Sequence, residues 1–217
     1  MIFKKKISSH LKKDEKINSE LLINAYKSVR NQVLISPLNY HSVSYKQRAR
    51  CRLNLYAVNT GIIDYLMNDK IGTKAKPYIN DLHKNLVDII CQADIEVIEN
   101  INELILDNYF ISSLTEKFVF EGKAGKVSKN ELLSYYLMNR VKEYYYAVSL
   151  TLTLMQKSNS ANEKSSLKSC PITQIFCKDF ISSRMIANNL FQTQFTYNIA
   201  FAGIKIFSEN IDKIFDL

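Results

Sequence analysis

Glycine and proline are scarce in this chain, at 5 and 3 of 217 residues. Sandwiches, barrels and Rossmann-type folds spend both on turns and phosphate loops, so their scarcity disfavours all three. The four cysteines, Cys51, Cys91, Cys170 and Cys177, include no C-x-x-C pair and are too few for a disulfide scaffold. They read as reduced, mostly buried thiols, which places the chain in the cytoplasm. Of the three histidines, His10, His41 and His83, none has a His or Cys three or four residues on. A zinc site would therefore need long-range assembly. No G-x-S-x-G elbow, Walker-type loop or C-x-x-C-H sequence occurs. The Arg-to-His spacing of helical ribonucleases and the Gly-rich distal helix of a haem-oxygenase-like bundle are missing too. The expectation is no cofactor and no metal. An enzymatic reading would rest on a Ser or Cys nucleophile assembled across helices.

Long apolar runs are also missing. Tyr144 to Met155 is too short to span a bilayer. Met185 to Ile204 is uncharged but carries Asn188, Asn189, Gln192, Thr193, Gln194, Thr196 and Asn198, which are costly in hydrocarbon. It reads as a buried or interfacial helix, so no transmembrane segment is expected. The start, Met1 to His10, is charged without the apolar run or cleavage site of a secretory signal peptide.

What the chain does have is an ordinary globular composition, 47% hydrophobic and 23% charged. Its net charge of +8 is unevenly placed. Residues 1–76 hold fifteen Lys and Arg against five Asp and Glu, a net of +10, whereas residues 77–107 hold one Lys against seven acids, a net of −6. The basic third suits an anionic partner or the chain's own acidic segment. Lys far outnumbers Arg, and Asn and Ile are abundant, as AT-rich codons of a bacterium, mobile element or phage would give.

Hydrophobic spacing predicts an all-α fold, a single bundle of about five to six helices. Residues 1–18 form a basic lead-in, 19–156 the bundle, 157–170 an exposed loop, and 171–217 a C-terminal helical segment packing on the bundle. A helix over Ser19–Leu34 presents Leu22, Tyr26, Val29 and Val33, and Pro37 stops it. Residues 43–70 are ambiguous. Val43 to Ala57 alternates apolar and polar like a strand, yet Cys51, Leu55, Val58, Ile62 and Leu66 repeat at helical steps, and helix is preferred on length. A long amphipathic helix opens at Pro77 and extends to 107, roughly 45 Å at ~1.5 Å per residue. A short element covers 114–120. Ser128 and Glu131 form a capping box for a helix to about Gln156. Pro171 opens the last stretch, with a weak point at Gly203.

Two sets of residues are candidates for binding. Lys46, Arg48, Arg50 and Arg52 could contact phosphates, with Tyr45 and Tyr56 stacking on bases, or could clamp the acidic helix. Tyr144 and Tyr145 belong to a triple with Tyr146 that cannot all face one core, so at least one lies at the surface or in a contact. The acidic stripe Glu96, Glu99, Glu103 and Asp107 lacks the Glu-x-x-His pattern of a carboxylate metal site and reads as a solvated face. A TetR-like regulator has the right size and charge, but the Gly-Val-Ser-type turn and following aromatic pair are absent. The pattern of 185–204 is faintly similar to the helices of phasins, which coat storage granules.

The expected function is a non-enzymatic cytoplasmic interaction protein with a protein partner: an adaptor, a secretion-machinery component or effector, or an immunity-type binder. The alternative is a nucleic-acid-binding protein using the basic N-terminal region. A third reading is a phasin-like coat of an apolar surface. A homo-oligomer fits any of these.

Overall fold

The computed structural model describes residues 17–34, 45–94, 129–157, 171–172 and 189–217. Among them all regular structure is helical, and the fold is all-α. Helix α1 spans Ser19–Leu34, α2 Tyr45–Ile71, α3 Lys76–Ala93, α4 Lys129–Lys157 and α5 Asn189–Phe215. A 3-10 turn, Gly72–Ala75, joins α2 to α3. Gly72 makes this turn with φ of +57°, a conformation that costs most other residues energy. No described helix is long and apolar enough to cross a membrane.

Helix α1 begins where its sequence provides a cap. Asn18 Oδ1 accepts the Leu21 N–H at 3.1 Å, satisfying one of the first-turn donors that have no helical partner. The Asn18 N–H in turn donates to the Ile214 carbonyl at 2.6 Å, tying the start of α1 to the end of α5. Leu22, Tyr26 and Val29 are fully buried as their spacing predicts. The side chain of Val33 and the proposed stop at Pro37 lie outside the described residues.

Helix α2 is the centre of the bundle. Its most extensive neighbour is α4, followed by α5, while α1 packs chiefly on α5 and α3. Every residue from Leu53 to Asp64 is buried, so three turns of helix have no solvent face. That accounts for the ambiguity from Leu53 to Ala57, the side chains of 43–51 lying outside the described residues. A helix enclosed on all sides has no reason to keep its polar residues on one stripe, and an incidental alternation then resembles a strand.

Two glycines let other helices approach α2. A Cβ on Gly61 would lie 3.0 Å from the Tyr145 amide nitrogen and 3.2 Å from the Tyr144 carbonyl carbon, both backbone atoms of α4. A Cβ on Gly203 would lie 2.7 Å from both Asn59 Oδ1 and Ile62 Cδ1. Gly203 is therefore no weak point in α5. It sits inside a continuous helix and serves as its contact with α2.

The amphipathic helix from Pro77 is shorter than its pattern predicts. Leu82, Leu86, Ile90 and Ala93 are buried in sequence order, but α3 ends at Ala93. Asp94 has extended backbone, φ −153° and ψ 90°, and its N–H closes the helix on the Ile90 carbonyl at 2.8 Å. An unbroken helix from 77 to 107 is thus corrected to one that stops at Asp94, where the backbone turns extended. Residues 95–107, the element at 114–120 and the loop at 158–170 lie outside the described residues. So does Ser128, although α4 starts at Lys129 and runs to Lys157.

Backbone against backbone at Gly61 leaves little room to adjust. Gly61→Ala is expected to lower the unfolding free energy by about 1–2 kcal/mol, the overpacking cost exceeding the ~1 kcal/mol helix-propensity gain. Urea denaturation of the two proteins checks it.

Candidate functional site

The polar residues of α2 at four-residue spacing, Arg52, Tyr56, Thr60, Asp64 and Asn68, form a slanted row facing α1 and α3. At its upper end stands Asp94, whose side chain is only 3% exposed. Arg30 Nη1 of α1 lies 3.3 Å from Asp94 Oδ2, and Arg52 Nη1 lies 3.3 Å from Oδ1. The Tyr56 hydroxyl donates to Oδ2 at 3.4 Å, and Arg30 also donates to the Ala93 carbonyl at 3.0 Å. Two cations thus meet one carboxylate and the negative end of the α3 dipole. Burial, with the Asp94 charge adding to it, pushes the Tyr56 hydroxyl above the ordinary phenol range. This phenol stays a neutral donor.

Lower in the row the Thr60 hydroxyl donates to the Tyr56 carbonyl at 2.8 Å. Its proton is used there, so in the 2.7 Å contact with Tyr26 the phenol donates to Thr60. Burial drives the Tyr26 hydroxyl upward too, so this phenol also stays neutral. The Tyr26 ring meets Tyr56 and Phe207 edge-on, each with centroids 5.5 Å apart. Next in the row, Asp64 Oδ2 lies 2.8 Å from His83 Nε2 of α3. Asn68 then donates to the Asp64 backbone carbonyl at 2.8 Å. On another face of α2, Asn54 Oδ1 receives the hydroxyls of Tyr136 and Tyr144 at 3.5 and 3.4 Å.

These positions settle several candidates. Arg52 is about a quarter exposed and its guanidinium is committed to Asp94, so it is not a free cation on the surface. Arg30 and Arg52 thereby set part of the basic third against the chain's own acidic segment. Lys46, Arg48 and Arg50 belong to the first turns of α2, and their side chains lie outside the described residues. Tyr144, one of the candidate binding residues, is fully buried in the core. Tyr145 is half-buried, with its ring edge-on to Tyr146 at 5.7 Å. The surface member of the triple is Tyr146, 69% exposed, with Leu150 one turn later at 57%.

Among the described residues no group of three or more His, Cys, Asp or Glu is arranged to hold a metal. His10, His41 and the stripe from Glu96 to Asp107 lie outside them. Burial, with Asp88 adding to it, pushes the Cys91 thiol up to about 11. At neutral pH it is a thiol and a poor nucleophile. No protein-family model matches the chain, and neither a curated protein nor a solved structure matches it.

Sequence reasoning missed Asp94, the Asp64–His83 pair and the exposure of Leu150. The four-residue spacing from Arg52 to Asn68 was the available signal for the polar row, but nothing in one helix names its partners on two others.

Removing the Asp94 carboxylate leaves Arg30 and Arg52 facing each other. Asp94→Ala is expected to cost about 3 kcal/mol, the lower end for a broken buried pair because both arginines are partly solvated. Far-ultraviolet circular dichroism in a urea titration would measure the loss.

Proposed function

We propose that this protein is a non-enzymatic helical interaction protein of the cytoplasm, binding a protein partner through the outer face of α4. One observation supports it above the others. Tyr146 and Leu150, large and apolar, stand exposed in adjacent turns at 69% and 57%. Single exposed apolar residues are ordinary, but an aromatic and an aliphatic side chain one turn apart make a contiguous anchor of the kind that dominates binding energy. Lys142, Glu143 and Thr153 are also exposed on α4, adding polar groups around the pair. Thr151 is turned inward, its hydroxyl donating to the Ala147 carbonyl at 2.7 Å.

The nucleic-acid reading keeps Lys46, Arg48 and Arg50 but loses Arg52 to Asp94, which makes it the second choice. The two separate in one purification. The chain has no Trp and 13 Tyr. Bound nucleic acid would therefore raise the 260/280 nm absorbance ratio visibly at low salt, and a high-salt wash would lower it.

The double substitution Tyr146→Ser with Leu150→Ser is expected to leave stability within about 0.5 kcal/mol, as surface changes do. It is expected to weaken capture of the partner from extracts of the source cell by at least tenfold. Recovery of the same proteins at the same yield by both forms would refute the α4 face. Sedimentation of the two forms shows in parallel whether the partner is a second copy of the chain.

A further inference from the structure

Three of the helices packed on α2 answer a buried polar group that they cover. Helix α1 brings the Tyr26 hydroxyl to Thr60, α3 brings His83 to Asp64, and α4 brings Tyr136 and Tyr144 to Asn54. Helix α5 instead covers Asn59 with Gly203, a residue without a side chain. Asn59 is 1% exposed, and the nitrogen and oxygen of its amide group are both buried with no hydrogen-bond partner. Asp64 Oδ1 is unpartnered as well, but the other oxygen of that carboxylate is bonded to His83. Asn59 has neither atom bonded.

The contact is close. A Cβ on Gly203 would lie 2.7 Å from both Asn59 Oδ1 and Ile62 Cδ1, so the α5 backbone passes over the amide with no space between them. Seating α5 therefore takes two donor hydrogens and an acceptor out of water and gives them nothing in return. That loss is incurred only in the closed form, because water reaches the amide once the turn lifts. An unmet buried polar group shifts such an equilibrium by about tenfold toward the open form.

Beyond this turn α5 is held by better contacts. Phe207, Ile211, Ile214 and Phe215 are buried. The Phe207 ring meets Tyr26 of α1 with centroids 5.5 Å apart, and the Phe215 ring meets Tyr78 of α3 at 6.2 Å. The Ile214 carbonyl accepts the Asn18 N–H, and Asp212 pairs with Lys70 at the exposed end of α2. All of these lie on the C-terminal side of Gly203. They fix that half of α5 to α1, α3 and the end of α2, and leave the Gly203 turn to rest on Asn59 and Ile62.

We propose that the turn of α5 around Gly203 is a strap over α2 that unseats more readily than the core it covers, with the unmet Asn59 amide setting its opening. In the closed form the amide is dry. In the open form water satisfies it, while Phe207 to Phe215 stay docked. A helical turn lifted from its neighbours is marginal in water, so its backbone hydrogen bonds loosen at the same time. Opening uncovers Asn59 and Ile62 of α2, an amide beside an aliphatic side chain that the closed bundle hides.

Native-state amide hydrogen exchange of the full chain, corrected for intrinsic rates, reads the opening turn by turn. In the parent protein the amides of Gly203 to Ile206 are expected to exchange through an opening about tenfold or more above the one that exposes Leu53 to Asp64. Asn59→Leu, apolar and of similar size, removes the unmet amide. It is expected to lower the opening of Gly203 to Ile206 by about tenfold relative to that of α2. Equal opening of the two segments in the parent protein overturns the strap, and this is also the result that a water bound to Asn59 in the closed seam gives. An unchanged ratio in Asn59→Leu overturns it too. Should that variant not fold, the comparison within the parent protein decides alone.

Discussion

Enclosure of α2 on all sides is the constraint from which the other features follow. From Leu53 to Asp64 the helix has no residue in water, yet it carries Asn54, Tyr56, Asn59, Thr60 and Asp64. A buried polar group left without a partner costs more than most single contacts return. The surrounding helices must therefore supply partners as well as apolar surface. Tyr26 of α1 meets Thr60, His83 of α3 meets Asp64, and Tyr136 and Tyr144 of α4 meet Asn54. Such pairings have geometric requirements that simple hydrophobic contact lacks, so they select one register for each neighbour. Asn59 is the exception among these buried polar residues, since neither atom of its amide group has a hydrogen-bond partner beneath Gly203.

Asp94 shows how a single charge shapes both a boundary and a surface. By leaving the helix it ends α3, and by drawing Arg30 and Arg52 inward it removes two cations from the basic third of the chain. A strongly basic segment suggests an anionic ligand only to the extent that its charges are free. Here part of that charge is consumed internally, and the face with the clearest anchor for a partner is apolar and aromatic instead.

Legibility in the sequence followed the amount of solvent each helix sees. Helices α1 and α3 border water on one side, and their buried stripes, Leu22–Tyr26–Val29 and Leu82–Leu86–Ile90–Ala93, could be read from spacing. The stretch of α2 from Leu53 to Asp64 borders none, and the pattern running into it was ambiguous between strand and helix. The candidate site was less legible still. A triple tyrosine implies that one ring lies outside the core, but which of Tyr144, Tyr145 and Tyr146 does so depends on the rotation of α4. Its contact with Gly61 helps to fix that rotation.

The sequence by itself determined the all-α class, the span of α1 and the inner faces of α1 and α3, because local periodicity and the scarcity of Gly and Pro act over a few turns of chain. It also determined that charge is segregated along the chain. Only the tertiary structure decided that Asp94 stops α3, that Arg52 is an internal partner, that Tyr144 is core while Tyr146 and Leu150 are surface, and that Asp64 meets His83. Each of these depends on groups from different helices arriving within a few ångströms of one another. Such distances are set by how the helices pack together, which no local spacing encodes.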